Sequence, residues 1–402
     1  MIGVLFLLAG TLVCSFAQVL ELKPGSVRGF EYTTKGGDIA EVFLGIPYAA
    51  APVGELRFEK PVPVVPWNGV RNGTQFGATC HPHEHKSAVL PDPNEDCLTL
   101  NVIRPKKEAP TGGYPILLWI HGGGYEIGSA SLYGYKGFAD IYIPHDIIVV
   151  TIQYRLGIYD YIARSIEMSG SPWVAWALGP NVPKYSLELA EVLECADDLK
   201  SCMKHKTVEE IYEAAEKVYS RFHGYASSGL DSIKWGPVID GDFLQDPDEM
   251  AVTAPPKASI VGVSNKEAAF MSKNATLTNF GIKEDDFPTW NRDKLVASIK
   301  KLIPNEFFKS KTDEVIDKVI AYYVDRNEED AYDFYLDRYT ETSLTWIQFL
   351  SDVLFNVAAV DGILARRGGR WDLFAYSFNH YNKAVWSDNI PKRLRGSSPK
   401  EV

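Results

Sequence analysis

Ile116-Leu-Leu-Trp-Ile-His-Gly-Gly-Gly-Tyr-Glu-Ile-Gly-Ser129 carries five apolar residues without interruption into three glycines. A run this short, bounded by Pro115 and Gly122, has the length of a strand. Lacking polar alternation, it has the pattern of a parallel strand covered on both faces. Glycines suit a place where side chains would hold the backbone away from an approaching group. Residues 147–155, IIVVTIQYR, repeat the apolar pattern, and residues 26–48 alternate between glycine breaks as antiparallel edge strands do. Later come strand-like Ser259-Ile-Val-Gly-Val263 and Leu373-Phe-Ala-Tyr-Ser-Phe378. Between them, residues 184–222 and 293–365 have helical spacing, as at Val315, Ile316, Val319 and Ile320. Thr207 followed by Glu210 marks a helix start, and Gly368-Gly369 a helix end. Strands alternating with helices make this an α/β chain.

At 402 residues with 46% apolar content, the chain can bury a large core. A net charge of −11 without a basic stripe excludes a polyanion partner, so no nucleic acid is expected. Residues 1–17 hold an apolar run and a small-residue site ending at Ala17, the pattern of a cleaved secretory signal. Cys14 leaves with it. Cys80, Cys97, Cys195 and Cys202 remain, an even number that predicts two local bridges, 80–97 and 195–202, in a secreted product. Asn72-Gly-Thr and Asn274-Ala-Thr are glycosylation acceptors in that compartment. No transmembrane segment is expected: the best candidate, residues 346–365, is interrupted by Asp352 and Asp361 and reads as a buried amphipathic helix.

Four motifs in order, Phe43-Leu-Gly-Ile-Pro-Tyr-Ala49, Pro52-Val-Gly-Glu-Leu-Arg-Phe58, Glu95-Asp-Cys-Leu-Thr-Leu-Asn-Val-Ile-Arg-Pro105 and Trp119-Ile-His-Gly-Gly-Gly124, resemble the type-B carboxylesterase and cholinesterase family. The resemblance implies an α/β-hydrolase fold with a mostly parallel central sheet and helices on both faces, as one domain over residues 18–402. It implies a serine hydrolase of small carboxylic esters that needs no cofactor. The amides of Gly123 and Gly124 would receive the oxyanion. Glu267, in Gly262-Val-Ser-Asn-Lys-Glu267, would be the triad acid, although the family's next glycine is Ala268 here. Arg57 with Glu95, and Cys80 with Cys97, take structural roles by the same resemblance.

The resemblance breaks at two points. After Leu156-Gly-Ile-Tyr-Asp-Tyr161 the family continues through a helix, a strand, the Gly-x-Ser-x-Gly nucleophile elbow and a second helix. This chain passes almost directly to Ser165-Ile-Glu-Met-Ser-Gly-Ser171, and none of its serines has glycines two before and two after. An internal deletion near residues 159–164 is expected, removing a central strand and its helices, because a parallel crossover needs about a dozen residues. A partly bare sheet face would follow, open to a protein partner or to aggregation. The second break is at the end, Arg395-Gly-Ser-Ser-Pro-Lys-Glu-Val402, where Pro399 or a neighbour occupies the place of the family's histidine.

With nucleophile and base absent, the chain is expected to be inactive as written, a truncated isoform or pseudoenzyme. The alternative is a non-catalytic, cholinesterase-like binding or adhesion module. Ser169 and Ser171 take the place of ordinary structural serines, Ser129 and Ser131 read as turn residues, and His380 lies too early to be the base. His81-Pro-His-Glu-His85 alternates histidines, but an extended loop splays such residues to opposite sides, so no metal is expected.

Overall fold

The computed structural model describes residues 18–81, 91–125, 128–156, 165–174, 176–179, 181–195, 198–223, 236–241, 244–268, 290–303, 308–325 and 341–378. The expected signal segment, Asn274, most of the histidine loop, the 157–164 junction, His380 and Pro399 lie outside them. Eleven strands are described: β1 (Val19–Leu22), β2 (Gly25–Arg28), β3 (Phe30–Thr33), β4 (Ile39–Pro47), β5 (Val70–Asn72), β6 (Thr99–Pro105), β7 (Ile116–Ile120), β8 (Ile148–Ile152), β9 (Ser165–Met168), β10 (Ser259–Ser264) and β11 (Leu373–Phe378). The chain forms two compact units, one of Met1–Leu156 with Lys200–Lys206, the other of Gly157–Leu199 with Thr207–Val402.

In the first unit a five-stranded sheet has the order β3-β4-β6-β8-β7, and a small sheet the order β1-β2-β5. β3 to β8 pair antiparallel in turn, and β7 joins β8 in parallel with Ile116 beside Ile148 and Ile120 beside Ile152. One sheet face buries Ala40, Val42, Leu44, Ile103 and Val149 under Phe138, Ala139 and Ile143. The valine, leucine, isoleucine and phenylalanine side chains among them each contribute about 1.5–3 kcal/mol when fully buried. On the other face Val27, Phe43 and Ile46 gather Leu100 and Val102 against Leu20, Leu22 and Trp67. A register shift between Phe43 and Ile46 places Gly45 at φ 65°. Its amide donates to Asn101 Oδ1 at 2.9 Å, and a Cβ there would meet the Gln75 carbonyl at 2.8 Å.

β7 differs from expectation. It is the outer strand of its sheet, with Leu117 and Trp119 packed into the core but Ile116 67% and Leu118 44% exposed. A continuous apolar run implies cover on both sides only when other elements supply it, and this strand has it on one.

In the second unit β9, β10 and β11 form a parallel sheet ordered β11-β10-β9. Ile166, Ile260 and Phe374 lie side by side in its register and are all exposed. The helix Val208–His223 begins as its sequence requires: the Thr207 amide donates to Glu210 Oε2 at 2.7 Å, and the Glu210 amide to Thr207 Oγ1 at 3.1 Å. The helical run Trp346–Arg367 is, by length and composition, able to cross a membrane, contrary to the expectation drawn from its two aspartates. Half of its most apolar window is buried. Trp346, Phe349, Leu350 and Leu354 are at the centre of the unit's core with Leu295 and Ile299. Asp352 is held there by Tyr323 Oη, Gln348 Nε2 and Asn356 Nδ2 at 2.7–2.9 Å, within a π-helical turn over Asp352–Asn356.

Candidate functional site

β7 delivers His121 and the glycines at its carboxyl end. Gly123 has φ 141° and Gly124 φ 59°, conformations that L-residues rarely adopt. Gly128 closes the loop onto its start: a Cβ there would stand 2.3 Å from the Gly122 carbonyl oxygen and 2.6 Å from His121 Nδ1. Among the described residues no acceptor meets the amides of Gly123 or Gly124, and both residues are half-buried.

His121 is 2% exposed, and burial holds its pKa below the usual histidine range against weaker support from the Gly122 backbone and Gln153. The ring is therefore neutral at neutral pH, with Nδ1 3.1 Å from the Gly122 carbonyl as its donor. Tyr154 stacks on it with centroids 4.4 Å apart and places Oη 3.5 Å from Nδ1. A hydroxyl does rest beside an imidazole here. Its proton, however, goes to the backbone carbonyl of His121, and Nδ1 is a donor, so the pair cannot work as nucleophile and base. Gln153 supports the same loop, accepting from the Ala130 amide at 2.9 Å and donating to Ser129 Oγ at 2.8 Å. Ser129 caps the short helix Ala130–Tyr133 and meets Ser131 Oγ at 2.7 Å; Ser131 lies within that helix and not in the expected turn.

Glu267 follows β10 and is 1% exposed. Its Oε1 accepts from Ser169 Oγ and from the Ser264 amide, both at 2.5 Å. Oε2 is buried without a hydrogen-bond partner. Burial pushes this carboxyl above the usual range, and the two hydrogen bonds pull the other way. Ser169 reaches Glu267 because β9 runs parallel to β10, with Met168 beside Gly262, and because its own backbone turns left-handed at φ 61°. Sequence reasoning gave Ser169 only a generic structural place. No local signal gave this contact, because only the pairing of β9 with β10 brings Ser169, just after one strand, to the acid that follows the other. Ser171 is structural, donating to the Ala358 carbonyl at 2.9 Å.

The remaining expected residues hold the frame. Arg57 forms a fork on Glu95, both bonds 2.5 Å, and its third nitrogen donates to the carbonyl of Lys206 at 2.5 Å and of Lys204 at 3.2 Å. Cys80 and Cys97 are bridged, and Cys195 and Cys202 are also disulfide-bonded. Asn72 is exposed, with Oδ1 accepting from Thr74 Oγ1 at 2.9 Å. A cavity of about 610 Å³ opens at the other end of the β7–β8 pair, lined by Glu41, Arg104, Lys106, Lys107 and Tyr114. Its cations are already paired, Arg104 with Glu41, Lys106 with Glu31 and Lys107 with Asp146, so it presents no charge in search of a ligand. Among the described residues no group of three or more histidine, cysteine or acidic side chains is placed to hold a metal.

Comparison with known proteins places the chain in a family. The sequence profile of the carboxylesterase family matches residues 17–165 and 160–402. The chain belongs to the carboxylesterase family. It therefore has the α/β-hydrolase fold, here with its strands in a mixed sheet and a parallel sheet. It is 36% identical over 465 residues to gut esterase 1 of Caenorhabditis briggsae, covering 97% of this chain and 79% of that protein. Identity to gut esterase 1 of Caenorhabditis elegans is 34%, over 96% of this chain and 78% of the relative. Carboxylesterase 5A of Mus musculus is similar over a shorter stretch, 36% identical across 38% of this chain and 28% of its own length.

Proposed function

We infer that this is a secretory-pathway carboxylesterase-family product that no longer cleaves esters. Ester hydrolysis needs an activated serine, a histidine to carry its proton, an acid to orient that histidine and donors for the oxyanion. The observation that carries the reading is at Glu267. One oxygen is taken by Ser169 and Ser264, the other has no partner, and the chain contains no Gly-x-Ser-x-Gly from which a nucleophile could come. Two further findings support a missing internal block between β8 and β9. The family profile matches in two stretches that meet at residues 160–165. The alignment to the Caenorhabditis briggsae relative is 465 positions long, against 402 residues here. Binding and oxyanion donors alone leave about 10³–10⁴ over the uncatalysed rate, and the donor that follows the serine is lost with the block.

The disulfides and the exposed Asn72 sequon support passage through the secretory pathway. Incubating the purified chain with a fluorophosphonate probe tests the loss of activity: no stoichiometric label is expected. Specific labelling of any serine would refute it. A non-catalytic binding role is favoured as the second reading by the exposed apolar sheet residues Ile116, Leu118, Ile166 and Phe374, which suit a protein partner.

A further inference from the structure

We propose that Gln18 is a modification site: once residues 1–17 are removed, its α-amine closes onto its own side-chain amide, and the mature chain begins with a pyroglutamyl lactam. This rests on the secretory reading, with cleavage after Ala17, and adds a reaction that secretion by itself does not require.

Ser15 and Ala17 are the small residues that a leader cut needs, and Gln18 follows them directly. Two observations put the start of the folded body at the same place. The family profile begins to match at residue 17, and β1 begins at Val19. A glutamine in first position carries its own electrophile, because the α-nitrogen and the side-chain Cδ can join in an unstrained five-membered ring. The neutral amine adds to Cδ, the Cδ–Nε2 bond breaks, and the departing nitrogen takes the proton that the amine gives up. Ammonia leaves, nothing is oxidised or reduced, and no co-reactant is consumed. An α-amine with a pKa of about 7.7–8.0 is roughly one-tenth to one-sixth neutral at pH 7. Both reacting groups belong to one residue, so the step has the advantage of an intramolecular reaction.

The fold leaves those groups available. Gln18 is half-buried, and its backbone nitrogen meets no acceptor among the described residues. Its side chain has one tie there: Nε2 donates to Glu31 Oε1 at 3.0 Å in an exposed bond. Glu31 does not depend on it, since Lys106 Nζ donates to the same oxygen, and departure of Nε2 leaves the carboxylate paired. The Gln18 carbonyl lies outside the new ring and keeps its bond from the Gly29 amide at 2.8 Å, which holds the chain end on the sheet. Closure therefore costs the fold one exposed hydrogen bond, whose net contribution is small. It also removes the terminal charge, so an aminopeptidase finds no α-ammonium to grip.

The test reads the first residue of the full chain after secretion from a eukaryotic host. Amines of the intact product are blocked by reductive methylation before digestion, so that a Gln18 still open at harvest is marked and cannot cyclise later. The tryptic peptide of residues 18–28 is then weighed. In most chains it should be lighter than the open form by one ammonia and unmethylated at its first nitrogen, and pyroglutamyl aminopeptidase should expose Val19 as the new first residue. Gln18→Asn, whose ring would be a strained four-membered one, should carry a methylated amine throughout. An open, methylated Gln18 in most chains overturns the proposal and leaves the secretory reading standing. A secreted chain cut at another residue, or a Gln18→Asn chain blocked as fully as the parent, likewise overturns the proposal alone. A chain that keeps Met1 and stays inside the cell overturns both.

Discussion

Replacing Glu267 separates two roles that its carboxylate combines. Glu267→Ala removes the acceptor of the Ser264 amide and of Ser169 Oγ, each 2.5 Å away. Leaving a buried donor unsatisfied costs about 1–3 kcal/mol. Ser264 is 5% exposed, which puts its amide at the upper end, whereas half-buried Ser169 can turn its hydroxyl to water. The expected loss is therefore about 2–4 kcal/mol for Glu267→Ala. Glu267→Gln keeps an oxygen for both donors and removes the charge, placing an amide where Oε2 has no partner. It should lie within about 1 kcal/mol of the parent at neutral pH. The pH dependence follows from the direction of the shift. Burial raises the folded-state pKa above the ordinary glutamate value of 4.5, so between the two values the native state binds more protons than the unfolded one. The stability contributed by this group is full below pH 4.5 and is lost as pH rises through the folded value. Urea denaturation of parent and both variants from pH 5 to pH 8 measures this. The parent should lose stability relative to Glu267→Gln as pH rises. If Glu267→Gln proves as unstable as Glu267→Ala, or if the difference between parent and Gln variant does not change with pH, the reasoning is wrong.

Gly128→Ala should cost about 1–3 kcal/mol in thermal unfolding, because its φ of 112° is strained for any Cβ and the Gly122 carbonyl stands 2.3 Å away. A variant as stable as the parent would mean that the glycine loop is not closed as described. Arg57→Ala strips Glu95 of its fork and releases the carbonyls of Lys204 and Lys206; a loss of about 3 kcal/mol is expected by denaturant titration, with Arg57→Lys unable to restore the two-point contact. Full rescue by lysine would argue for a simple charge effect. Expressed through a secretory pathway, the parent should carry a glycan at Asn72 that glycosidase removes, and Asn72→Gln should abolish that mass shift; an unmodified Asn72 would count against secretion.

Local chemistry was legible from the residues. The capping of residues 207–210 is written in a three-residue spacing, and the glycine loop in consecutive residues that only a bare backbone can form. That Glu267 follows a strand was legible from the apolar run at residues 259–263. The helix at 346–367 was legible as buried, but what holds Asp352 within it was not: three side chains donate to its carboxylate, one of them Tyr323, 29 residues away.

What the chain determines by itself is thus whatever a few neighbouring residues settle: strand or helix, a cap, a loop that admits no side chain, an acid at the end of a strand. The tertiary structure alone decided that Ser169 would hold Glu267 across 98 residues of sequence, and that Arg57 would reach the end of a helix nearly 150 residues later. It also decided that an unbroken apolar strand would lie at the rim of its sheet, with Ile116 and Leu118 bare. Periodicity and hydrogen-bonding capacity act over a turn or a strand, whereas the choice of neighbour depends on strand order, and no local pattern carries that order.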